Sequence, residues 1–227
     1  MSSADAARLR LFQLVSPALP VGAFSYSEGL EVLVQRGVIA GVEALEQWLS
    51  DELRRGAVAV EAAGLSALQN ALRLHQGAGA DLSAAAELDG WLLAQREAAE
   101  VRAQQRQMGQ SLLQLLADLG WPLGPGAVSL AWPAAFAWAS LCLEIGSPAM
   151  EEAYLYSWVA NQISAAVRLV PLGPTQGQRL QLGLAALIAE RARHLAQRDP
   201  RQLCNGGVGA GLAQLQHAEL YSRLFRS

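Results

Sequence analysis

Ser25, Ser27, Glu28 and Glu31 form the densest group of side chains in this sequence that could do chemistry: two hydroxyls and two carboxylates within a few residues. A serine acts as a nucleophile only with an activating base, and no histidine or acid can be assigned to that task here; a G-x-S-x-G elbow is absent too. Glu28 and Glu31 are spaced as a carboxylate pair, but three residues on a helix is equally the spacing of ordinary surface acids. Metal chemistry fares no better. His75, His194 and His217 are dispersed, and no C-x-x-C or H-E-x-x-H brings donors together. Cys142 and Cys204 lie far apart, Cys142 in an apolar run, which fits a reducing compartment better than a disulfide framework. All 17 basic residues are arginine. Without lysine, neither a standard phosphate-binding loop nor Schiff-base chemistry is open to the chain. No catalytic residue, metal ligand or cofactor is therefore assigned. The rival reading is a small all-α enzyme with a pocket near Ser25 to Glu31.

The elements that must position these residues are helical. The 52% hydrophobic content is inflated by alanine, and β-branched and aromatic residues are sparse, so the expectation is an all-α bundle of about eight to ten helices without a sheet. Pro17, Pro20 and Gly22 make a turn, after which Ser25-Tyr-Ser-Glu28 has capping-box spacing, with Ser25 as N-cap. Apolar residues recur at three and four from Val42 to about His75, as two segments whose junction falls at Gly56 or Gly64. Asp81 or Ser83 caps a helix that continues, with a break near Gln95, to Gly120. Within it, Arg96, Glu97, Glu100, Arg102 and Arg106 read as a solvated face, Arg96 attracting Glu100 and Arg102 weakly repelling Arg106.

Pro133 opens a helix to Gly146, and Ser147-Pro148 caps the next, which carries Tyr154, Tyr156 and Trp158. Three aromatics in five residues exceed one buried stripe, so one side of this helix should meet a second surface. Thr175 to Gln178 has capping-box spacing before a helix to about Gln197. The glycine-rich run Cys204 to Gly211 reads as a flexible connection to a last helix from Leu212 to about Arg223.

At 227 residues the chain fits one domain, 1–227, in which the order of residues 1–8 is left open and 212–227 form a terminal helix and tail. A net charge of −3 gives no case for nucleic acid, and no stretch reaches the roughly 18 apolar residues of a membrane span. With no signal-type N-terminal segment, the cytoplasm is the default location.

The tail interleaves Tyr221, Leu224 and Phe225 with Arg223 and Arg226, residue types enriched at interfaces, so burial against something is expected. Tyr-Ser-Arg-Leu-Phe-Arg-Ser227, together with Leu14-Val-Ser-Pro-Ala-Leu-Pro-Val-Gly-Ala-Phe-Ser-Tyr-Ser-Glu-Gly-Leu-Glu31, resembles the urease accessory protein F family. The charged residues Arg96, Glu97, Glu100, Arg102 and Arg106 with Gly109, and Val167 to Pro174, agree, so the resemblance runs over nearly the whole chain. It implies a non-catalytic homodimer that binds urease accessory protein D/H, recruits the accessory GTPase (protein G) and acts on the urease apoprotein, with nickel passing through the assembly. It further implies that Tyr221, Ser222, Arg223, Leu224, Phe225 and Arg226 become ordered against protein D/H. Arg223 and Phe24 match positions tied to GTPase recruitment, although the family often has tyrosine where Phe24 stands. Tyr156 matches a position on the dimer-forming helix, and Glu152 is assigned to the same interface.

Overall fold

The computed structural model describes residues 3–78, 81–124 and 129–227. Among these residues the chain is built from eleven α-helices and two short 3-10 turns, and no strand is present. The helices are α1 (Ser3–Leu14), α2 (Leu30–Gln35), α3 (Val42–Arg55), α4 (Ala57–Ala78), α5 (Ser83–Ala94), α6 (Ala99–Asp118), α7 (Trp132–Cys142), α8 (Ala149–Leu169), α9 (Pro174–Gly183), α10 (Ala185–Leu195) and α11 (Val208–His217). The all-α fold and the single helical domain are as the sequence indicates. Of the N-terminal eight residues, all but the first two are described, and they enter α1.

The centre of the bundle is α7, apolar on every side and buried from Pro133 to Ser140, as a helix without a polar face must be. It packs against α4 and α6, while α8 lies against α4, α9 and α10. Phe136 of α7 meets Tyr154 of α8 edge to face at 5.1 Å between ring centres. Gly109 is where α6 approaches the start of α7: a Cβ there would stand 2.4 Å from the Leu130 carbonyl oxygen. Asp89 of α5 completes that junction by accepting the Ala131 amide, which precedes the first turn of α7, at 3.0 Å and 3.2 Å.

Several helix boundaries differ from expectation, each for a local reason. Ser25 does not cap a helix; it ends a 3-10 turn, Ala23–Ser25, and α2 begins only at Leu30 after Glu28 and Gly29 adopt positive φ. Gly56 is the α3–α4 junction, and Gly64 lies inside α4 with Leu92 packed on it. The break near Gln95 separates α5 from α6. At the start of α9, Gln176 reaches back to the Gly173 amide at 3.0 Å, two residues ahead of the expected box. The following helical run is divided at Leu184. Helix α7 stops at Cys142, short of Gly146, and α8 begins at Ala149 with Pro148 rather than Ser147 at the cap position, Ser147 instead donating to Glu151 at 2.7 Å. The glycine-rich run is ordered: the Gly206 amide bonds the Arg55 carbonyl at 2.7 Å, α11 starts at Val208, and it ends at His217, so the last ten residues are not helical.

Candidate functional site

The turn before α2 and the non-helical tail after α11 form one structure. The Arg226 amide donates to the Ser25 carbonyl at 2.9 Å, and the Ser27 and Glu28 amides donate to the Ser227 carbonyl at 2.8 Å and 3.1 Å. The Ser27 hydroxyl adds a third donor to that carbonyl at 2.7 Å. Phe225 and Ser227 are buried, and the Arg168 guanidinium of α8 lies 4.4 Å from the Phe225 ring centre while donating to the Phe24 carbonyl at 3.1 Å. Arg168 thus ties Phe24 to the tail through a cation–π contact and a hydrogen bond.

Glu31 does the corresponding work at the first turn of α2. Its two carboxylate oxygens accept the consecutive amides of Leu224 and Phe225, at 2.7 Å and 3.1 Å. Hydrogen bonds from neutral amides to an ionised acceptor are among the stronger ones, and here the carboxylate is almost wholly shielded from water. Arg223 pairs with Glu100 of α6 at 2.7 Å. The outward side of the assembled segment presents Phe24, fully exposed Tyr221, Leu224, Arg223 and Arg226. Phe24 and the tail residues are therefore brought together. Tyr156 and Glu152 are not part of this cluster: they line an apolar groove with Leu11, Phe12, Val15 and Ile188. Tyr156 is the one exposed aromatic of its helix, since Tyr154 is in the core and Trp158 packs against Trp48 with its ring tilted.

Beneath the turn lies a buried ionic network. Arg96, expected on a solvated face, is buried; its Nε donates to Glu61 at 2.7 Å and one Nη to Glu28 at 3.2 Å. Burial alone would pull the guanidinium down, and the Glu61 and Glu28 carboxylates more than reverse this, holding it above its ordinary value. The expected Arg96–Glu100 pair is replaced by these longer-range partners, because Arg96 sits in the α5–α6 break and points inward. Arg102 caps the same break by donating to the Arg96 and Glu97 carbonyls, both at 2.6 Å.

Glu28 also accepts from Gln104 at 2.9 Å and Trp158 at 3.3 Å, and Glu61 from Tyr154 at 2.8 Å. Burial first, and then Glu61, raises the Tyr154 hydroxyl well above its usual range. Far from forming a reactive pair, Glu28 and Glu31 are each occupied by donors that hold structure. A nearby cavity of about 50 Å³ is lined in part by Glu28, Glu61, Gln104 and Gln105.

Glu31, Ser27, Glu100, Arg168 and His217 were not singled out for this role by the sequence, and no local pattern marks them. Each acts on a segment more than a hundred residues away.

The described residues form a single helical domain with a tail folded onto its second helix, in which Glu31 holds that tail and Glu28 and Glu61 are committed to the buried network. The comparisons give this domain a family. The UreF family model matches residues 39–185. The urease accessory protein UreF of Alkalilimnicola ehrlichii is 40% identical over 225 residues, covering 97% of this chain and 96% of its own length. That of Nostoc sp. is 42% identical over 224 residues, with 96% and 95% covered, and that of Prochlorococcus marinus 35% over 220, with 95% and 96%. The chain belongs to the UreF family of urease accessory proteins, and its role is that of an accessory factor, not an enzyme.

Proposed function

We propose that this chain is a dimeric scaffold in urease maturation: it binds urease accessory protein D/H through residues 221–226, presents Phe24 and Arg223 to the accessory GTPase, and promotes nickel insertion into the urease apoprotein. The observation that carries this reading is the joining of the tail to the Phe24 turn, with aromatic and arginine side chains directed outward. Exposed Tyr, Phe, Leu and Arg on an ordered backbone are the composition of an interface centre. Val208, Leu212 and Leu215, four and three residues apart on α11, add an exposed apolar face to the helix that leads into the tail.

A tail that docks on its own domain gives a partner a conformation to select, so binding shifts a population rather than folding the segment from nothing. The dimer would use the groove at Tyr156 and Glu152, where a C2 axis would set α8 near its copy. Among the described residues no helix is long and apolar enough to cross a membrane, which fits work among other maturation proteins.

Size-exclusion chromatography with light scattering, using protein D/H and either the full chain or a form ending at Leu220, tests the reading. A complex with the full chain alone is the expected result. Equal binding by both forms removes the tail from the docking surface, and binding by neither removes protein D/H as the partner.

A further inference from the structure

His217 is fully buried at the last position of α11, where the chain leaves the helix to become the tail. Its two ring nitrogens face two carboxylates from different helices: Nδ1 lies 2.9 Å from Glu100 of α6 and Nε2 lies 3.3 Å from Glu31 of α2. The same two carboxylates grip the tail. Glu31 accepts the Leu224 and Phe225 amides, and Glu100 pairs with Arg223. One imidazole therefore contacts both carboxylates that bond residues 223–225, linking α2, α6 and α11 at the base of the tail.

We propose that His217, Glu31 and Glu100 are positioning residues that form a latch, so that the tail docks and undocks as a unit. The proposal rests on the reading of the tail as the partner-binding element and adds what controls its conformation. Glu31 is the stronger half, because it is buried and its bonds run to backbone amides. Glu100 and Arg223 are partly exposed, and a pair of that kind contributes little alone. Its place in the latch comes from its second oxygen, which orients the imidazole. Loss of His217 leaves both carboxylates without a common anchor, and the two grips then open independently.

Hydrogen exchange of the full-length chain, followed by mass spectrometry on peptides covering 222–227, α4 and α7, tests this directly. In the unaltered chain the Leu224 and Phe225 amides should exchange slowly. His217→Leu and Glu31→Gln should each speed them by roughly tenfold or more with α4 and α7 unchanged. His217→Gln, which keeps a donor, should restore part of the protection.

Glu100→Gln is the second variant, at a partly exposed position where folding is not at stake; it should loosen 222–227 as well. Tail amides already fast in the unaltered chain, tail exchange unmoved by all of these changes, or acceleration spread equally over α4 and α7 would each overturn the latch. Protein D/H binding by the same variants separates the two ideas. A latch that opens while binding to D/H persists unaltered leaves the latch standing and defeats the reading of the tail as the docking element.

Discussion

Glutamine in place of Glu52 should make the protein more stable above neutral pH and give no such advantage in mild acid. Glu52 lies on α3 one turn before Gly56, is 7% exposed, and is covered by Gly207, whose added Cβ would stand 2.8 Å from a carboxylate oxygen. Burial pushes its carboxyl from an ordinary 4.5 up to about 7; Arg96 opposes this, Glu28 and Asp51 reinforce it, and Arg55 opposes it more weakly.

Because the folded value is the higher one, the folded chain between pH 4.5 and about 7 keeps a proton that the unfolded chain has released. Stability must then fall as pH rises through that window and level off above it. A displacement of this size corresponds to about 3 kcal/mol. Glutamine cannot ionise, so the variant's stability relative to the unaltered chain should climb by up to that amount between the two ends of the window. Urea unfolding at a series of pH values, constant ionic strength and a matched denaturant slope measures it. A difference that does not change with pH, or one that moves against the variant as pH rises, refutes the reasoning.

Arg96→Met should lower stability by about 3–5 kcal/mol, since Glu28 and Glu61 then lose their buried guanidinium; a urea midpoint near that of the unaltered chain would contradict the network's importance. Gly109→Ala should cost about 1–3 kcal/mol, because the Leu130 and Ala131 backbone must retreat from the new methyl, and calorimetry should register a lower melting temperature. Tyr156→Asp would set charges into the proposed dimer groove, and light scattering should return a monomer mass; an unchanged dimer mass would remove α8 from that interface.

Local pattern was enough for the all-α fold and for many of its boundaries. Apolar residues at three and four gave α3 and α4, Gln95 marked the α5–α6 break, and Pro133 the start of α7, because each signal is contained within a few turns of backbone. The tail's composition indicated burial, but of its interface-type residues only Phe225 is buried, while Tyr221, Arg223, Leu224 and Arg226 stay exposed.

What the pattern misread was the destination of polar side chains. Ser25 and Glu28 have capping-box spacing, yet Glu28 instead meets Arg96, 68 residues away. Arg96 has the look of a solvated arginine, and only Glu61 and Glu28, brought in from α4 and the turn before α2, make its burial tolerable. His217 and Glu31 are 186 residues apart and touch only after α11 has packed on α2. Helix formation was determined by the sequence because propensity, capping and amphipathic period act over neighbouring residues. The site was decided by tertiary structure because a buried charge is stable only beside a complementary group, and closure of the whole bundle determines which group that is.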